Sequence, residues 1–238
     1  MHRAPAHVKV LAMLLFVVAV VATPREEVWA FGGHLVVLLL AVGWSGVPLR
    51  HLLPRMAVEI PFVCFALLMP LVATGPRVDV GPLSLSEPGL WGAWAILAKA
   101  TLGTLASVLL ASTTEPADIV EGLARLRVPG QLVQIISFMI RYAAVVGGQL
   151  RQMRIARQSR GFVGRSWRSW SALSGTLGAL FVRSYERGER VHLSMLSRGY
   201  TGRGTTRAVD AVPGGVWAGA LVLPAAALIV LLAARAPL

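Results

Sequence analysis

Acidic residues and lysine are scarce in this chain. It has 11 Asp and Glu against 23 basic residues, of which only Lys9 and Lys99 are lysine. Charged residues make up 14% of the 238, where a soluble domain carries about 25%. With 55% hydrophobic residues and a mean hydropathy of +0.67, a water-soluble globule is excluded. A single cysteine, Cys64, lies in an apolar run and excludes an internal disulfide. The five histidines (His2, His7, His34, His51, His192) are scattered, with no i, i+4 pair, so no helical metal motif is expected. There is no glycine-rich phosphate loop of the Walker type, so the chain is not expected to hydrolyse ATP itself. Nor are there paired acids within apolar runs that would suggest a proton relay or cation path.

What is present is a series of long apolar runs. A bilayer core takes ~20 mostly apolar residues as helix. Five runs approach that, over residues 8–23, 28–47, 57–74, 90–112 and 215–234. They lack the two-residue alternation of barrel strands, so helices are expected. Proline and charge mark the turns: Thr23-Pro24-Arg25-Glu26-Glu27, Pro48 to Arg55, and a Pro/Gly/Ser loop from Gly75 to Gly89. The apolar N-terminal run has no convincing cleavage site and is read as a retained first span. Net charge is +12, which suits nucleic acid or a membrane protein with basic cytoplasmic segments. The apolar runs favour the second, and no nucleic-acid partner is expected.

Placement of Lys and Arg sets orientation. With the N-terminus cytoplasmic, Arg3, Lys9, Arg50, Arg55 and all fifteen basic residues between Thr114 and Pro213 lie inside, while Arg25, Arg77 and Arg235 lie outside. The run 132–148 is nearly apolar enough for a span. Gln134, Ser137 and Arg141 interrupt it, and a central arginine costs at least ~2.5–3.5 kcal/mol on insertion. A single span there would also put the twelve basic residues from Arg151 to Arg207 outside. It is therefore read as an amphipathic helix against the inner face of the membrane domain. Its expected apolar stripe is Leu132, Ile135, Ile136, Met139, Ala143, Val146, Leu150 and Met153.

The fold expected is all-α and polytopic: transmembrane helices 1–4 over residues 1–113, a cytoplasmic helical domain over 114–213, and a last transmembrane helix over 214–238. The middle segment divides into three helices. One starts near Thr114 and ends at Val128-Pro129-Gly130, one runs from about Gln131 to Arg160, and one from about Ala172 to Arg198. A break over 162–171 holds Gly164, Trp167 and Trp170, and a linker follows over 201–214. Glu186 and Arg190 form an i, i+4 pair on the third helix.

Two tripeptides stand out: Ser159-Arg160-Gly161 and Ser197-Arg198-Gly199, each followed by an aromatic residue, Phe162 or Tyr200. Each reads first as a helix C-terminus, with glycine accepting the left-handed conformation and arginine offsetting the negative helix end. Two of them in one basic segment also suggest docking. An arginine on a helix's last turn projects beyond it and can make a bidentate contact with a carboxylate in a partner's acidic groove.

The chain resembles the T component of energy-coupling factor transporters, in particular the CbiQ type of cobalt uptake systems. The resemblance rests on Ile140-Arg141-Tyr142, the run Arg154 to Phe162, the run Phe181-Val182-Arg183-Ser184-Tyr185-Glu186-Arg187-Gly188-Glu189-Arg190-Val191, and Met195 to Gly202. The family's tripeptide is usually Ala-Arg-Gly; both copies here start with serine, which leaves the arginine in place. The resemblance implies a non-catalytic subunit, without a cofactor of its own, in a bacterial cell membrane. It implies two ABC-type ATPase subunits as partners, docked on Arg160 and Arg198, and a small substrate-capture (S component) membrane protein. Cobalt is the substrate implied, with nickel or a vitamin such as biotin as alternatives.

Rival readings are a lipid enzyme, for which Glu115, Asp118 and Glu121 are the one group of three acids close together, and a scaffold whose arginines bind anionic lipid. Lys99, within the fourth run, is expected to snorkel or to pair with Glu59. Gly32-Gly33, and Gly103 with Ser107, are expected to let helices approach closely.

Overall fold

The computed structural model describes residues 5–48, 53–80, 83–162, 169–201 and 214–235. Arg3, Arg50, Gly164, Trp167 and most of the expected linker lie outside them. Within them the chain forms α1 (Ala6–Ala22), α2 (Val28–Ser45), a 3-10 segment (Leu53–Glu59) leading into α3 (Ile60–Val72), a hairpin of β1 (Arg77–Val80) and β2 (Leu83–Ser86), α4 (Glu87–Thr113), α5 (Pro116–Arg125), α6 (Gly130–Ser159), α7 (Ser169–Leu196) and α8 (Gly214–Arg235). The hairpin falls in the Gly75–Gly89 segment, which sequence alone reads as an irregular loop; Arg77 pairs with Ser86 and Val80 with Leu83. The chain divides into two compact units, residues 1–122 with 209–238, and residues 123–208.

The first unit is a helical bundle. Phe16, Val20, Leu38, Ala41, Leu102, Ala106, Leu109, Ala227 and Leu231 form one core where α1, α2, α4 and α8 meet. α3 packs on α4 and buries only Ala66 and Pro70, so Phe62, Phe65, Leu67, Leu68 and Val72 stay exposed. An apolar surface of that kind is disfavoured in water and suited to hydrocarbon.

The helix ends sort into two groups. At one end, the Lys9 Nζ donates to the Thr113 carbonyl at 3.0 Å, the His7 and Trp217 rings meet edge to face, and Arg55 donates to Ser112. The starts of α1, of the 3-10 segment and of α8 therefore lie with the end of α4. At the other end, the Lys99 Nζ donates to the Val21 carbonyl at 2.8 Å and Arg235 Nη2 to the Ala22 carbonyl at 3.0 Å. These two cations satisfy the last carbonyls of α1, which a helix end leaves without intrahelical donors. α1 has 17 residues, about 25 Å, which falls short of a ~30 Å hydrocarbon core. Long basic side chains reach its end from the neighbouring helices. Lys99 is thus bound to a backbone carbonyl and does not pair with Glu59, whose carboxylate accepts from the Thr101 hydroxyl.

A buried polar pin sits near the same end. The Thr23 hydroxyl donates to the Ala19 carbonyl at 2.9 Å and lies 3.0 Å from His34 Nε2. With its proton already given to Ala19, Thr23 accepts from His34, so Nε2 carries the hydrogen. Both side chains are almost fully buried, and the bond ties the end of α1 to the middle of α2.

Among the described residues, five helical segments are long and apolar enough to cross a membrane: Val28–Ser45, Pro54–Val72, Glu87–Thr113, Gly130–Ser159 and Gly214–Arg235. This set differs from the expected five. α1 is shorter, and α6 qualifies by length and composition.

The close helix approaches follow expectation in part. A Cβ on Gly33 would lie 3.3 Å from the Val230 side chain of α8, but one on Gly32 or Gly103 would meet nothing within 4 Å, whereas one on Gly89 would lie 2.8 Å from the Pro70 Cα and 2.9 Å from the Met69 carbonyl oxygen. Backbone cannot move aside as a flexible side chain does. Gly89→Ala is expected to destabilise by about 1–3 kcal/mol, while Gly103→Ala is neutral or slightly stabilising, as read from thermal unfolding midpoints in one detergent.

Candidate functional site

Both predicted tripeptides lie in the second unit, each closing a long helix. α6 has 30 residues and ends at Ser159; α7 has 28 and ends at Leu196. Arg160 and Arg198 are exposed, as are the serine and glycine on either side of each.

The two ends have the same backbone. Gly161 has φ +75° and Gly199 φ +83°. The Gly161 amide donates to the Gln158 carbonyl at 3.0 Å, and the Phe162 amide reaches back to the Arg157 carbonyl at 3.2 Å. In the second copy the Gly199 amide donates to Leu196 at 3.0 Å and the Tyr200 amide to Met195 at 3.0 Å. This pair of bonds is the Schellman arrangement, which satisfies the orphan carbonyls of the last turn and needs a left-handed residue. Neither glycine would meet a neighbour within 4 Å if it carried a Cβ, so backbone conformation rather than space is what calls for glycine. The serine in each copy closes on its own helix too. Ser159 Oγ donates to the Ala156 carbonyl and Ser197 Oγ to Ser194, both at 3.0 Å. With these groups satisfied internally, the arginine guanidinium is the strong donor left at each tip.

The residues flanking the tips differ. Arg157 lies with its guanidinium 5.5 Å from the centroid of the Phe162 ring. Its Nε and Nη1 are shielded from solvent without a hydrogen-bond partner among the described residues, which fits a cation committed to an aromatic face. The Tyr200 hydroxyl donates instead to Gln134 Oε1 at 2.6 Å, on the first turns of α6. The Arg198 tip therefore sits beside the start of α6 and the Arg160 tip at its far end. Twenty-six residues of helix separate Gln134 from Arg160, or about 40 Å at ~1.5 Å per residue. Sequence reading picked out the two aromatics but not their partners. Arg157 could have been found from its helical neighbourhood, whereas Gln134 lies 66 residues from Tyr200 and leaves no local signal.

The face that α6 turns towards α7 draws on Met139 and Val146 of the expected stripe and adds Phe138 and Tyr142. Phe138, Tyr142 and Val146 line a groove with Ser184, Arg187, Val191 and Met195 of α7. Leu132, Ile135 and Leu150 of the stripe are exposed, and no residue of α6 is buried. The contact also uses Gln134, Tyr142 and Arg187, polar residues that a search for apolar periodicity overlooks. On α7 the expected pair is present but loose, with Arg190 Nη1 at 4.0 Å from Glu186 Oε2 and both side chains exposed.

The chain is similar to transmembrane proteins of known naming. It is 24% identical to the energy-coupling factor transporter transmembrane protein EcfT of Listeria innocua over 222 residues, covering 87% of this chain and 83% of that protein. It is 26% identical to the EcfT of Bacillus subtilis over 215 residues, covering 84% and 80%. With the cobalt transport protein CbiQ of Rhodobacter capsulatus it shares 27% identity over 129 residues, covering 52% of each. A family model described as CbiQ, cobalt transport protein, matches residues 1–208. With that match over most of its length, and with the long apolar helices of its fold, the chain belongs to the CbiQ family of multi-pass membrane proteins.

Proposed function

We propose that this protein is the non-catalytic, transmembrane energy-coupling subunit of an ATP-driven cobalt uptake transporter. Two ABC-type ATPase subunits dock on Arg160 and Arg198, and a substrate-capture membrane protein receives the motion. The observation that carries this reading is the pair of matching, exposed, arginine-tipped helix ends, one closing α6 and the other, on α7, bonded beside the start of α6 about 40 Å away along that helix. Two like tips suit two like partners. The relatives named EcfT and CbiQ support the transporter role, and the family description supports cobalt. Nickel or a vitamin is the nearest alternative substrate. The subunit itself is read as working without a cofactor, its contribution being mechanical.

The bundle supports one orientation. The first unit reaches Gly122 beside His7 at the start of α1, and α8 starts beside the same His7. The intervening chain thus begins and ends on one side and crosses the membrane an even number of times. If α6 crossed, α7 would have to return. Its centre carries Arg183, Glu186, Arg187, Glu189 and Arg190, and each such arginine costs at least ~2.5–3.5 kcal/mol in the bilayer core. We therefore place neither helix across the membrane and put this basic segment in the cytoplasm, with the N-terminus on the same side.

Three measurements test the proposal. In co-purification with the cognate ATPase subunits, Arg160→Ala and Arg198→Ala should each lower ATPase retention at least about tenfold, as expected when one partner of a buried charge-assisted contact is removed. Arg151→Ala, an exposed arginine away from both tips, should retain the wild-type amount; equal retention in all three would overturn docking in favour of diffuse binding to anionic lipid. In a Cys64→Ala background, Gln158→Cys and Thr201→Cys should resist a membrane-impermeant maleimide on intact cells and react once the cells are opened; labelling from outside would reverse the orientation. Cells expressing the complete transporter should accumulate cobalt ion in an ATP-dependent manner, and accumulation of nickel or biotin in its place would reassign the substrate.

A further inference from the structure

The two tips share a backbone but not an anchor. Arg160 is steadied within its own helix end, by Arg157 lying over Phe162. Arg198 is steadied from another helix, through the 2.6 Å hydrogen bond from the Tyr200 hydroxyl to Gln134 Oε1. The rest of the α6–α7 contact is open, with a groove of about 430 Å³ between the helices and no buried residue on α6. Such a pair does not interlock through a packed core, and last turns are where helices open most readily. A directed bond at the end of the pair therefore decides whether the tip follows the neighbouring helix or moves alone.

We propose that the Tyr200–Gln134 hydrogen bond is a latch, with both residues acting as positioning residues for Arg198. It makes the Arg198 tip move with the first turns of α6, whose other end carries Arg160. A displacement at one tip then passes into α6 as rigid motion instead of being absorbed by bending of the last turn of α7. The inference rests on the coupling role proposed above and adds that the two tips are not equivalent: one is tied locally, the other across 66 residues.

The latch is testable in the full-length protein. Spin labels on Gln131→Cys and Thr201→Cys, in a Cys64→Ala background and in lipid nanodiscs, report the distance across it. A narrow distribution is expected for the otherwise native chain and for Gln134→Glu, whose carboxylate still accepts from the hydroxyl. A distribution about twofold broader is expected for Tyr200→Phe and Gln134→Leu, with the double variant no worse than either single one, as for two residues sharing one interaction. In the assembled complex, a fluorophore at Gln131→Cys should respond to ATP in the native background and lose that response in Tyr200→Phe while ATPase retention stays at the native level. Native distance distributions in Tyr200→Phe would overturn the latch, as would a lost ATP response accompanied by an equal loss of ATPase. Full ATPase retention in Arg198→Ala would instead overturn the docking role and leave the distance result standing.

Discussion

The rest of the structure depends on a constraint of parity. A helix in a bilayer begins on one side and ends on the other, so the side of every loop is fixed by counting. In this protein the count is held by contacts at the helix ends. Lys9 on the Thr113 carbonyl gathers one set of ends, and Lys99 and Arg235 on the carbonyls of Val21 and Ala22 gather the other. The basic segment between Gly122 and α8 leaves and returns at the same end, and the charges at the centre of α7 make crossing costly.

The second unit holds two long helices that end alike. Stiffness comes from two long helices, and identity at the tips comes from two glycines at positive φ. The Schellman closure consumes the polar groups of the last turn, and the serine hydroxyls bond back to their own helices. The arginine is left as the group with hydrogen-bonding capacity to offer. A planar guanidinium at the end of a rigid rod is suited to a carboxylate groove in a way that a lysine on a flexible loop is not.

Much of this was legible in sequence. Hydropathy marked the apolar segments, and the repeated Ser-Arg-Gly marked the helix ends, because glycine at a left-handed cap is a local requirement. The same local logic failed in two places. Gly103 looked suited to helix packing, yet it faces open space, while Gly89 meets the Met69–Pro70 backbone closely. Glu59 looked like a partner for Lys99, but that ammonium is taken by the end of α1.

The sequence by itself determined which segments are helical and apolar, where the two long rods end and which side chains stand at their tips, because those properties follow from neighbours three or four residues apart. Tertiary structure alone decided the partners of Lys99, Arg235, His34 and Tyr200. Each of these bonds joins residues brought together by the packing of whole helices, and no spacing along the chain encodes such a meeting.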